Sequence, residues 1–203
     1  MNTNTNTLND IDLEYVKKEL SQAILGNSNN NALNTLNQYY NKKNPIMNIN
    51  EPLPDCGTWT PLATSVYLGK TQEVEFLLKN GADANHNIDG SSIPLHLAIL
   101  NGKFNIVKYL IKYGADANKK TEAGQTGIMI ACEQGQTEIL QYLIDNIDTL
   151  KLNVMEIDNN NKTCLDFALE KGNFQEIRMI EYYKLKKMIP QKSSDSGTRK
   201  TKI

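Results

Sequence analysis

The sequence predicts an all-α solenoid, a row of stacked helix-turn-helix units joined by projecting β-turn or hairpin loops. Three observations predict it. Segments of matching character begin at Thr60, Ile93, Thr126 and Thr163, spaced 33, 33 and 37 residues apart. A glycine stands nine residues after each start, at Gly69, Gly102, Gly135 and Gly172. Two stretches are identical, Gly81-Ala82-Asp83-Ala84-Asn85 and Gly114-Ala115-Asp116-Ala117-Asn118. Coincident landmarks at one period mean repeated units, none of which can bury its apolar face without a neighbour.

Taken in chain order, residues 1–9 are polar and repetitive and are expected to be disordered. From Ile11 to Leu25, the residues Leu13, Val16, Leu20 and Ile24 share one helical face, opposite Glu14, Lys17, Lys18 and Glu19. Gly26 and the asparagine run stop that helix, and a second follows with Leu33, Leu36 and Tyr40 on one side. This pair reads as a degenerate N-terminal cap, and with the connection holding Pro45, Pro52 and Pro54 it makes a segment 10–57. Repeats then occupy 58–188. Within each, a start such as Thr60-Pro61 suits a helix N-terminus, because the hydroxyl caps free N–H groups and proline needs none there. The glycine ends this first helix where a left-handed residue is required. An apolar cluster such as Ile106/Val107/Leu110/Ile111 marks the second helix, and the Asp/Asn-rich stretch after it reads as a turn, with Asp89-Gly90 or Gly124 before the next start. A helix from Asn173 to about Met188 serves as the C-terminal cap, and 189–203 reads as a disordered basic tail with Arg199, Lys200 and Lys202.

The start Ile93-Pro94-Leu95-His96-Leu97-Ala98 and the end Gly81 to Asn85 resemble the ankyrin repeat family, over roughly Thr60 to Tyr183. The resemblance implies an ankyrin-type α-solenoid and a function in binding other proteins. It also implies a structural role for His96, whose imidazole would tie neighbouring turns together by hydrogen bonds. Departures are plain: Ile93 replaces the usual threonine, Gly127 and Cys164 the proline, and Ala63, Met129 and Asp166 the histidine. The third unit lacks its closing glycine and gains four residues around Asn146 to Val154, so a longer, distorted loop is expected. Asn161 stands where the family has glycine, and asparagine tolerates positive φ best among the other residues.

Composition bounds the function. With 203 residues, 39% apolar and 22% charged, the chain suits a soluble domain, and a net charge of -1 gives no reason to expect nucleic acid as a partner. No apolar run suggests a signal peptide or a membrane-inserted segment, so a cytoplasmic location is expected. Cys56, Cys132 and Cys164 are odd in number and far apart, which predicts free thiols rather than disulfides. No Cys-x-x-Cys, Gly-x-Ser-x-Gly or phosphate-loop motif occurs, and the only histidines are His86 and His96. Cys132 and Cys164 lack a histidine in their units and read as packing, while Asp145 and Asp148 read as solvated helix-end charges. No catalytic residue, metal site or cofactor is expected, and a monomer is favoured. An enzyme with an unrecognised site is the remote alternative; its mark would be a deep pocket with several titratable residues.

What remains is surface. By family geometry the variable positions fall seven and eight residues after each start: Tyr67/Leu68, Leu100/Asn101, Glu133/Gln134 and Glu170/Lys171. Loop tips lie near His86 to Asp89, including Ile88, and near Lys119, Lys120 and on to Ala123, and Trp59 precedes the first unit. The row runs from apolar and aromatic (Trp59, Tyr67, Leu68, Leu100) to charged (Lys119, Lys120, Glu133), as a groove anchored by aromatics would. For Trp59 and Tyr67 the competing reading is packing against the proline-rich connection. A further reading, motivated by the Asn/Lys/Ile bias and the short array, is a secreted effector of an intracellular bacterium, or a viral protein, that captures a host protein.

Overall fold

A computed structural model of the chain describes residues 13–26, 29–40, 47–86 and 93–188. The expectations for residues 1–9, for Asp89-Gly90 and for the tail 189–203 lie outside the described residues. Eleven α-helices are described: α1 (Leu13–Leu25), α2 (Asn29–Tyr39), α3 (Pro61–Tyr67), α4 (Thr71–Lys79), α5 (Pro94–Leu100), α6 (Phe104–Lys112), α7 (Gly127–Gln134), α8 (Thr137–Asp145), α9 (Ile147–Leu150), α10 (Cys164–Lys171) and α11 (Phe174–Met188).

Local chemistry starts these helices as the sequence suggests. Thr60 Oγ1 accepts from the Ala63 amide at 3.2 Å, with Pro61 in the first turn. In the last unit Asp166 completes a reciprocal cap: the Thr163 amide donates to its Oδ2 at 2.7 Å, while the Asp166 amide donates to Thr163 Oγ1 at 3.4 Å. Those bonds hold the Asp166 carboxyl below its ordinary range. Asp166 therefore has its own work at the position where the family keeps histidine.

The helices pair as α1/α2, α3/α4, α5/α6, α7/α8 and α10/α11, and the pairs stack. First helices α1, α3, α5, α7 and α10 form one row and second helices α2, α4, α6, α8 and α11 another. One apolar core runs between the rows from Val16, Leu20 and Ile24 through Leu77, Leu110 and Leu143 to Ile180. Gly69, Gly102, Gly135 and Gly172 stand between the two helices of their pairs with φ of 73°, 63°, 63° and 70°, the left-handed region cheap only without a Cβ. The insertion in the third unit becomes α9, and Lys151 (φ 53°) takes the left-handed position in place of a glycine. Asn161 has φ 60°, as its place in the repeat requires.

Loops join the units by a ladder of side-chain amides. The Asp116 amide donates to Asn85 Oδ1 at 2.7 Å, and Asn85 Nδ2 donates to the Gly114 carbonyl at 2.8 Å. One unit on, Asn118 Nδ2 donates to Leu150 O at 3.0 Å. One unit back, the Asp83 amide donates to Asn50 Oδ1 at 2.8 Å. Asn48-Ile49-Asn50 also makes the same local turn as Asp83-Ala84-Asn85, with the third residue's amide bonded to the first side chain at 3.0 and 2.8 Å. Lys70 Nζ donates to the Gly26 carbonyl, just as Asn173 Nδ2 donates to the Cys132 and Glu133 carbonyls beside Gly135. The α1/α2 pair thus extends the stack by the contacts that the later pairs use.

The cysteines correct the sequence expectation. Cys132 and Cys164 are fully buried, with Cα atoms 5.5 Å apart and their sulfurs joined as a disulfide; Cys56 alone is free. Their separation of 32 positions is close to one period, so stacking brings them face to face between α7 and α10. Distance along a repeat chain is a poor measure of distance in space. Burial pushes the Cys56 thiol up, away from nucleophilic character.

Candidate protein-binding surface

The C-terminal ends of the first helices carry the candidate site. Tyr67 and Leu68 close α3, 52% and 40% exposed, and Leu100 closes α5, 48% exposed. Helices α3 and α5 are neighbours, so these side chains share one edge of the stack. The Trp59 ring stands edge-on to Tyr67, 5.1 Å between centroids at 75°. Trp59 is half-buried, and its backbone bonds to Leu53 and Cys56 of the proline-containing connection. Both readings of this pair are thus partly met: the connection holds Trp59, and Tyr67 stays open.

Leu25, at the end of α1 and 43% exposed, belongs to the same edge, since α1 packs on α3 and Leu25 precedes Gly26 as Leu68 precedes Gly69. The 33-residue period does not point to it. The signal was present, because Gly26 is the glycine between α1 and α2, but it lies 43 residues before Gly69 rather than 33.

The charged candidates sit differently. Lys119 Nζ donates to the Asn85 carbonyl at 2.8 Å. Lys120 pairs with Glu156 at 2.6 Å beside a cavity of about 160 Å³ that Asn118, Thr126 and Asn153 also line. Glu133 accepts from Gln125 at 3.3 Å and pairs with Lys171 at 3.7 Å. Asn101 is exposed, and its Nδ2 donates to its own helix at Leu97 O. Lys119, Lys120 and Glu133 thus fasten neighbouring units to one another, while Asn101 bonds only within its own helix. His86 is half-buried, while Ile88 and Asp89 lie outside the described residues.

His96 is buried within α5. Its ring lies beside the Lys119 backbone of the following loop, where a tie between turns is expected, but neither nitrogen reaches full hydrogen-bond geometry there. It fills space beneath the next turn, with Cδ2 close to Gly127, and burial pushes its pKa down to about 4. At neutral pH it is an uncharged packing residue. Asp145 accepts from Gln141 at 2.7 Å, and Asp148, at the surface, pairs with Lys187 at 3.3 Å. Among the described residues no group of three or more His, Cys, Asp or Glu is placed to hold a metal, and no helix is long and apolar enough to cross a membrane.

Stacked helix pairs, left-handed glycines between their helices and an amide ladder joining the loops are the geometry of a single repeat type, and a family model for ankyrin repeats in three copies matches residues 20–121 and again 95–186. The chain belongs to the ankyrin repeat family. The first match begins inside α1, so it takes in most of the helix pair whose sequence resembles the repeat least. A search of curated proteins finds no match. Ankyrin repeats generally serve as protein–protein interaction modules and are typically non-catalytic. In this ankyrin stack the interior is filled by packing, so side chains outside it are what a partner can meet.

Proposed function

We propose that this chain is a non-catalytic binding module that captures a partner protein on the apolar edge formed by Leu25, Trp59, Tyr67, Leu68 and Leu100. The observation that carries the reading is that three large apolar side chains, seven or eight residues after the starts of two neighbouring units, stay roughly half exposed while the charged residues further along are engaged within the stack. Burying such side chains is worth about 1.5–3 kcal/mol each, and aromatic residues are the commonest anchors of interfaces. The partner would present an apolar side chain to the Trp59–Tyr67 pair, with polar contacts at the rim. Residues further along, among them Lys119, Lys120 and Glu133, keep the loops in register.

The test is affinity purification with the full chain, followed by mass spectrometry and a direct binding measurement with the partner found. Replacing Tyr67, Leu68 and Leu100 together by Ala should weaken binding at least tenfold with helix content and unfolding midpoint kept. Unchanged affinity in the folded variant would remove this edge as the site.

A further inference from the structure

The last unit keeps the side chains with which the earlier units grip their successors. Six residues after each start stand Val66, Ile99, Cys132 and Leu169; the first three are fully buried and Leu169 is 56% exposed. Ile99 lies against Gly127 of the following unit, and Cys132 is bonded to Cys164 of the following unit. Two residues past each glycine between paired helices, Phe104 meets Tyr142 of the next unit edge-on at 5.8 Å, whereas its counterpart Phe174 is 77% exposed. Tyr182 and Leu185 of α11 add 67% and 62% exposure on the same end of the stack. A terminal repeat that ends a solenoid ordinarily turns a polar face outward, and a contiguous apolar patch of this kind marks an interface.

We infer that this end face is a self-association surface, on which a second copy of the chain packs its own α10–α11 face about a two-fold axis. The spacing on α11 selects that occupant. Phe174, Arg178, Glu181 and Leu185 form one exposed stripe along the helix. When two α11 helices cross antiparallel with the axis midway between Arg178 and Glu181, Phe174 of each copy meets Leu185 of the other. Arg178 then meets Glu181 twice over. Apolar ends and a reciprocal ion pair make the stripe complementary to itself, which a two-fold interface demands. Head-to-tail stacking would instead set the stripe on α1, whose exposed face mixes Glu14, Lys18 and Gln22 with Tyr15 and Leu25, and would grow past the dimer. Residues 189–203 offer only Ile189, Pro190 and Ile203 as apolar cover. A dimer departs from the expected monomer, since exposure, invisible in the sequence, is what marks the face.

Sedimentation or light scattering of the full chain over a concentration series tests this. The mass should rise from 22.8 kDa to twice that value and stop. Phe174→Asp with Leu185→Asp should hold the protein monomeric with helix content unchanged. Arg178→Glu alone and Glu181→Arg alone should each weaken association at least tenfold, and the two together should restore it. A monomeric mass at every concentration, growth past the dimer, association untouched by the aspartates, or a double exchange that fails to rescue would each overturn the assignment.

Discussion

The two ends of the stack solve the same problem in opposite ways. The α1/α2 pair has lost most of the repeat's residues, yet it seals the core: Val16, Leu20, Ile24, Leu36 and Tyr40 are buried inward while Lys18, Gln22, Asn34 and Gln38 face water. It is clamped by Lys17 to Glu51 of the connection and by Tyr39 Oη donating to Glu19 at 2.8 Å. The α10/α11 pair keeps the landmarks, with its capped start and its glycine, and buries Phe167, Ala168 and Ile180 inward. Outward it shows Leu169, Phe174, Tyr182 and Leu185. Resemblance to the repeat and fitness as a cap are therefore separate properties. A unit becomes a cap by losing the residues that grip a successor, and those are residues by which a repeat is recognised.

The largest expected effect tests whether the divergent pair shares the common core. Leu20→Ala should destabilise the chain by about 2–5 kcal/mol, as other buried leucine truncations do, seen as a fall in the urea midpoint with unchanged slope. A loss of a few tenths would mean that α1 folds apart from the stack. At the other end Phe174→Ala is measured on the monomer at low concentration. It should change stability by no more than about 0.5 kcal/mol, the range for surface positions. That contrast between two large apolar residues is the comparison in its sharpest form.

Next comes acid, which acts between the ends. Folded His96 takes a proton only near pH 4, whereas an exposed histidine does so near 6.5. Between those values the unfolded chain binds more protons, so the contribution is full above 6.5 and is lost as pH falls toward 4, up to roughly 3 kcal/mol. His96→Gln should remove that segment of the stability-versus-pH curve. Hydrogen exchange should place the loosening at α5 and α7 before either terminal pair. Uniform loosening would argue against His96 as its source.

Smaller effects are expected at the glycines between paired helices. A Cβ at Gly102 would lie 2.8 Å from Gln136 Oε1 of the next unit, whereas one at Gly172 meets nothing within 4 Å. Both residues have positive φ, so alanine costs about 1–2 kcal/mol of backbone strain at either. Gly102→Ala should cost more than Gly172→Ala by the displacement of Gln136. Equal losses in thermal unfolding would mean that the Gln136 contact is idle.

The repeat was legible because its landmarks are local. A threonine that caps, a proline in the first turn and a glycine with positive φ do their work within a few residues, so they leave marks at fixed spacing. The Asn48-Ile49-Asn50 turn and Gly26 do the same work but stand 35 and 43 residues before Asp83 and Gly69, outside the common period. The candidate edge was half legible. Tyr67, Leu68 and Leu100 follow from their offsets, whereas Lys119, Lys120 and Glu133 find partners up to one repeat away, which no spacing rule shows.

By itself the amino-acid sequence determined where helices begin and end, that they come in pairs, and that the pairs must stack, since caps, turns and apolar periodicity act over short stretches of chain. Tertiary structure alone decided which side chains meet across that stack: the Cys132–Cys164 bond, the amide ladder, the neutral His96 and the bare face of α11. The physical reason is that exposure and pairing depend on what the neighbouring unit presents at each position. One-dimensional order records each unit's residues and not which of them the next unit covers.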